Sequence, residues 1–317
     1  MRALLVGAGS VGQVYGWHLQ KAGVEVHFYV KEKYADEARS GFVLYPPGSK
    51  TPQKFVPNGV VTSAAEAGAT TWDQVWLCIS SPALGGDWFP ALAAATGGAT
   101  WISLLPGIRD RERVSAVIPK ERIVWGLISF SAWHAPLGNE PLPEPGMAWW
   151  FPPMSPSLFE GPEAEVTKVV VPLKKGGCAA AKGDVAAMNA RGSAILGSVV
   201  GAMECGGWTF AGLREPRWAQ LGARCIDQAL TISCAHAGIS KGPAAFAASP
   251  TAIRFATRAV RFVTPMDFEL FLKAHFSKVG DQTLMGIEEL ANEGKRRNLP
   301  VDALVELKTE LEKARAA

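Results

Sequence analysis

The stretch Ala3-Leu4-Leu5-Val6-Gly7-Ala8-Gly9-Ser10-Val11-Gly12 decides how the rest of the chain is read. Its first four residues are apolar without interruption, as expected of a strand buried on both faces in a parallel sheet. A glycine loop follows at once. Beyond it Val11, Tyr15, Leu19 and Ala22 recur at helical spacing, and Gly23 ends the helix. Val24–Val30 reads as the next strand. Strand, loop, helix and strand therefore fit into about thirty residues, the size of one βαβ unit.

A G-x-G-x-x-G pattern is weak alone and informative between a strand and a helix. Gly7 permits the tight turn, Gly9 lets the backbone approach a pyrophosphate, and Gly12 allows close packing of helix on strand. The amides that open the helix, at Ser10 and Val11, would hold the phosphates. The cofactor's ribose is read at the end of the second strand, where an acid marks NAD. Here Val30 is followed by Lys31, Glu32 and Lys33. Lys31 suits a 2′-phosphate, so the expected cofactor is NADPH (NADP), while Glu32 leaves NAD open.

Working outward, Gln74–Ile79, Thr100–Leu105 and Arg122–Ile128 are further buried-strand runs, the first two closed by Ser80-Ser81-Pro82 and Pro106-Gly107. Alternating strands and helices of this kind predict an α/β fold with a Rossmann-type doubly wound sheet. Residues 135–163 are rich in Pro and Gly, with Met147–Phe151 as a strand. Val166–Leu173 reads as a strand and Lys174–Gly177 as a turn. Helices are expected at Val185–Met203, Trp218–Ala237, Ala244–Phe262, Phe268–Gly286 and Val301–Ala314. The expected division is a dinucleotide-binding domain at 1–210 and an all-helical substrate and dimerisation domain at 211–317.

Composition bounds the function. With 32 Lys+Arg against 29 Asp+Glu, the chain lacks the basic surface that nucleic-acid binding needs. No stretch reaches the ~18 apolar residues of a membrane span. Met1–Val6 runs straight into Gly7, without the longer apolar region and cleavage site of a signal peptide. The 5 cysteines are scattered and odd in number, with no C-x-x-C, which predicts reduced thiols and no metal site. The expectation is a soluble cytoplasmic homodimer with a small-molecule substrate and no nucleic-acid or membrane partner. There are 11 tryptophans against 4 tyrosines. Trp72, Trp76 and Trp101 read as core. Trp133, Trp149, Trp150 and Trp218 read as core or as a bulky apolar wall beside the substrate.

The opening LLVGAGSVGQVYGWHLQKAGVEVHFYVK, with its basic residue after the second strand, is similar to that of the ketopantoate reductase family. These are two-domain NADPH enzymes that reduce a 2-keto acid to a 2-hydroxy acid. VWLCISS and ISLLPGI stand where the family has a strand-end lysine and an asparagine-glycine turn. SLFEGPEA resembles the strand and turn before its interdomain helix, and LREPRWAQLGARCIDQALT the first helix of its C-terminal domain. The family's catalytic positions do not carry over. A lysine shortly after the helix tryptophan is its general acid, and Trp218 is followed here by Gln220. The strand-end lysine corresponds to Ser80 or Ser81, with Ser80 expected at the cofactor, and the asparagine to Pro106. The family's substrate-binding glutamate has no match, Asp281 being the nearest acid. A cofactor fold beside a rewritten site implies a different substrate, or a silent NADP-binding sensor or scaffold; true 2-dehydropantoate reduction would need relocated groups.

Hydride delivery to a carbonyl or imine leaves a developing anion that needs a proton donor or cation. On one continuous helix His275, Lys278 and Gln282 share a face, with Asp281 one turn beyond Lys278. Lys278 is the expected proton donor or oxyanion stabiliser, Asp281 its orienting partner, His275 the rival acid and Gln282 a substrate contact. Gly280, mid-helix, costs about 1 kcal/mol against alanine and suggests a close approach. On the 218–237 helix Gln220 and Arg224 would hold the substrate, Arg224 clamping a carboxylate. The alternative is a surface pair of Arg224 with Asp227.

Overall fold

The computed structural model describes residues 1–316. The opening apolar run forms the strand Arg2–Val6, with Ala3 to Val6 buried as a two-sided parallel strand requires. It sits inside an eight-stranded sheet. From one edge the order is Ala180–Lys182, Ser157–Glu160, Ile123–Leu127, Thr100–Ser103, Gln74–Leu77, Arg2–Val6, Glu25–Tyr29 and Gly59–Val61. All pairings are parallel except that of Ser157–Glu160 with Ile123–Leu127. The first strand has the second on one side and Gln74–Leu77 on the other, so the order of connection reverses there. A crevice opens at the C-terminal ends of strands at such a reversal.

The first helix, Ser10–Lys21, buries Val14, Tyr15 and Leu19. A smaller sheet, ordered Gln53–Phe55, Phe42–Tyr45, Gly146–Trp150 and Ser131–Ala135, completes the strand-bearing part. Close approach is possible because Gly16 stands where a Cβ would lie 3.0 Å from the Phe55 ring.

The expected strand at Val166–Leu173 is instead part of the helix Glu163–Lys175. Val166, Val169, Val170 and Leu173 are buried at i, i+3, i+4 and i+7, so helical periodicity prevails over the strand preference of valine. Pro172 lies inside this helix and cannot donate to the Lys168 carbonyl. The buried amide of Gln74 fills the gap, its Nε2 donating to Lys168 O at 2.9 Å.

Two compact units divide the chain: Met1–Leu105 with Asp110–Val185, and Pro106–Arg109 with the chain from Ala186 onward. The expected boundary at 210/211 is therefore too late. Helix Val185–Cys205 belongs with the second unit because Gly201 lets Leu307 and Leu311 of the last helix approach it, a Cβ there lying 3.0 Å from Leu307. Among the described residues every strand precedes Val185, and the second unit is helical as expected.

Two expected helices are broken. The 244–262 segment is a 3₁₀ turn, Gly242–Ala247, then helix Pro250–Ala259 and a second 3₁₀ turn, Val260–Phe262. Ser249 caps the helix by accepting from the Ala252 amide, with Pro250 in the first turn, so the chain restarts rather than continues. The 268–286 segment is two helices, Phe268–Phe276 and Gly280–Arg296.

Candidate functional site

The glycine loop lies at the sheet's reversal point, and each of its glycines is required for a different reason. Gly7 adopts φ +96°, and a Cβ there would lie 2.8 Å from the Cys78 carbonyl. At Gly12 a Cβ would stand 2.2 Å from the Gly7 carbonyl and 3.2 Å from the Phe28 ring, so the helix can begin this close only on glycine. Gly9 is the opposite case: no heavy atom lies within 4 Å of its Cβ position. That open space above backbone is what a pyrophosphate occupies. The loop is braced by Gly7 N–H donating to Tyr29 O at 3.0 Å and Gln13 Nε2 donating to Ala8 O at 2.8 Å. No acid stands in the first turn of helix Ser10–Lys21 and no side chain caps it, which leaves its positive end to an anion.

Around the loop is a cavity of about 770 Å³, within the range of small-molecule sites. Gly7, Gly9, Lys31 and Ser80, the residues expected at the cofactor, are among those that line it. Ser10 and Val11 form the first turn and Gly12 is buried behind it; none of the three is among the lining residues. The sequence reading missed Gln13, Tyr29, Thr62, Cys78 and Trp88, all of which line the cavity, and His134 lines it as well. One signal was legible: Trp88 comes two residues after Gly85-Gly86, a turn that follows the strand-end serines by four residues. Cys78 is half-buried at the strand end, and desolvation pushes its thiol far above the ordinary range, so it is an inert wall. Ser81 is turned inward, donating to Asp110 Oδ2 at 2.5 Å. The residues present fit a dinucleotide: a cradle that only glycine allows, an uncapped helix start and a cation at the end of the second strand.

The residues expected at the substrate are less coherent. Helix Phe268–Phe276 ends before Lys278, so His275, Lys278 and Gln282 do not lie on one helical face. Lys278 and Asp281 are exposed, and Gln282 is half-buried in the following helix. Gly280 opens that helix rather than interrupting it. Its lack of a side chain admits Arg315, whose guanidinium lies 3.1 Å from the Cβ position while donating to Gly280 O and pairing with Glu204. His275 lies between the Phe271 and Phe276 rings, and burial, then Lys278, lowers its pKa. Gln220 is exposed on helix Pro216–Ala237. Arg224 is no clamp: it donates to Asp302 at 2.7 Å and Glu306 at 3.0 Å, while Asp227 pairs with Lys241. Trp149 belongs to the core of the first unit and not to a substrate wall, and Trp72, Trp76 and Trp101 are core as expected.

The helix bearing Trp218 and Gln220, Pro216–Ala237, follows Val185–Cys205 in the second unit. The first helix, Val185–Cys205, contains no lysine. An unexpected cluster lies elsewhere in the second unit. The carboxylate of Glu293 is fully buried and held by Arg109, Arg297, Arg296 and His236. Burial alone pushes its pKa up, but the hydrogen bonds from Arg297, His236 and Arg296 bring it down to about 2.

Residues 3–139 match the family model described as ketopantoate reductase PanE/ApbA. No curated protein sequence matches the chain. Similar solved structures include a D-mandelate dehydrogenase with NADH and anilino(oxo)acetate, at TM-score 0.73 and 14% identity over 99% of this chain and 98% of that one. A 2-dehydropantoate 2-reductase from Geobacter metallireducens GS-15 gives TM-score 0.72 and 16% identity over 99% and 100%. One from Methylococcus capsulatus gives 0.70 and 15% over 100% and 97%. At these identities the likeness is one of fold, and it extends over nearly the whole chain. The family match and the glycine cradle fall in the same stretch of chain, where residues 3–139 are similar to a ketopantoate reductase PanE/ApbA domain.

Proposed function

We propose that the protein is an NADPH-dependent oxidoreductase that reduces a keto or imino compound other than ketopantoate. The observation that carries the cofactor choice is Lys31, which lines the loop cavity directly after the second strand, where an NAD site has an acid. NADPH, when bound, supplies a hydride. The chain's own contribution is the cradle at Gly7, Gly9 and Gly12, the helix-start amides for phosphate, and Lys31 for a 2′-phosphate. Lys278 is the proton donor in this reading, with His275 as its rival and Asp281 close in sequence. Gln220, at the position where the resemblance implies the family's lysine, supports a substrate different from the family's. A homodimer in the cytoplasm accompanies this reading.

Titration calorimetry with NADPH and NADH tests the cofactor, and NADPH oxidation with a panel of keto acids, aldehydes and imines tests the reaction. Tighter binding of NADPH and turnover with one of the panel are expected. Preference for NADH, the cofactor of the mandelate dehydrogenase structure, would overturn the cofactor choice. Tight NADPH binding with no turnover on any panel member would favour the silent sensor instead. Sedimentation velocity tests the dimer.

A further inference from the structure

We infer that Trp88 is the platform on which the cofactor's purine stacks, an assignment that rests on the dinucleotide reading above. Four features of the cavity support it. Trp88 opens helix Trp88–Ala95 immediately after the Gly85-Gly86 reversal, where Gly86 takes φ +95°. Its indole Nε1 donates to the Ala83 carbonyl at 3.0 Å, so the ring is fixed by its own loop and its single polar atom is already satisfied. The Tyr29 ring stacks beside it with centroids 6.2 Å apart and planes 27° apart. Both rings line the cavity that contains Gly7, Gly9 and Lys31.

The indole is thus a half-buried, pre-oriented, apolar surface with no hydrogen bond left to offer. Such a surface recognises a flat heteroaromatic ring by stacking, and every purine presents a suitable face. Tyr29 ends the second strand, and Lys31 follows two residues later. A nucleotide with its base on Trp88 and Tyr29 would therefore have its ribose next to Lys31, and the pyrophosphate would continue toward Gly9. The residues follow the same order as the parts of the ligand. Trp88 is a specificity-determining residue for the adenine half and has no part in hydride transfer.

The test is calorimetric titration of wild type, Trp88→Ala, Trp88→Leu and Trp88→Phe with NADPH and with adenosine 2′,5′-bisphosphate, which carries the purine and the 2′-phosphate but no nicotinamide. Trp88→Ala and Trp88→Leu are expected to weaken both ligands by the same factor, roughly 10- to 100-fold. Trp88→Phe should restore most of the affinity, which a loss of mere bulk at the loop would not explain, since leucine also fills space. Wild-type binding of the bisphosphate with Kd unchanged to within about threefold in Trp88→Ala overturns the assignment and leaves the cofactor reading standing. Failure of the wild type to bind either ligand overturns both.

Discussion

The loop glycines can be separated by experiment into one that serves the fold and one that serves the ligand. In Gly12→Ala the new methyl would stand 2.2 Å from the Gly7 carbonyl. Both atoms involved are fixed by backbone, so the helix start must move. Overpacking of this kind costs about 1–3 kcal/mol. For a unit of this size that lowers Tm by about 2–10 °C. Gly9→Ala differs in every respect. Its backbone, at φ −72° and ψ −175°, is open to alanine, and the methyl meets nothing within 4 Å. Its stability should stay within about 0.5 kcal/mol of wild type, with a small gain from the stiffer unfolded chain. The methyl occupies the space for the pyrophosphate, so NADPH affinity should fall at least about tenfold, ~1.4 kcal/mol. Thermal unfolding without cofactor, paired with calorimetric titration, reads the two effects apart. If Gly9→Ala melts as low as Gly12→Ala, or binds NADPH as wild type does, the cavity is not a phosphate cradle.

Other expectations concern individual charges. His18 is buried with Nδ1 on the Gly176 carbonyl and Nε2 without a partner; burial keeps it neutral and lowers its pKa. The unfolded chain protonates first, so stability should be full above about pH 6.5 and decline as the pH falls below it; His18→Gln, followed by urea midpoints at pH 7.5 and 5.5, should flatten the decline. Glu293→Gln removes a fully buried carboxylate held by half-buried Arg109 and His236 and by exposed Arg296 and Arg297, and should destabilise the helical unit by about 3–5 kcal/mol in thermal unfolding at pH 7. Because the Glu293 pKa is lowered to about 2, the wild type should keep this contribution above about pH 4.3 and lose it as the pH falls toward 2. Lys31→Ala should weaken NADPH severalfold, leave NADH unchanged, and matter less at high salt, as titrations at two ionic strengths will show. Lys278→Ala should abolish turnover with NADPH affinity retained; near-normal kcat in that variant would remove Lys278 from the mechanism.

The cofactor half of the molecule was legible because its signals are local. Gly7, Gly9 and Gly12 act within one turn of chain, and the apolar run before them is a buried strand on either side of any sheet. Val166–Leu173 misled because valine favours strands while the spacing of Val166, Val169, Val170 and Leu173 favours a helix. The substrate half was illegible for a different reason. Arg224 and Gly280 take their roles from residues far along the chain, Asp302, Glu306 and Arg315, and no short pattern announces those pairings. Trp88 lay between these cases: its Gly85-Gly86 turn is local, but its neighbour Tyr29 comes from a strand far earlier in the chain.

The loop Pro106–Arg109 has a consequence for how the protein is made and dissected. Asn189 Nδ2 donates to Pro106 O at 3.0 Å, and Arg109 reaches Glu293 at 2.8 Å, a partner 184 residues later. The chain crosses between its two units at 105/106, 109/110 and 185/186, so they are interleaved and not consecutive. No single cut yields two whole pieces, and a fragment ending at Val185 would keep Arg109 without its carboxylate. On the ribosome the N-terminal sheet emerges first and can settle first. The Pro106–Arg109 loop cannot complete its pairing until Glu293 has been synthesised, so the last stage of folding here is a rendezvous that waits for the C-terminal helices.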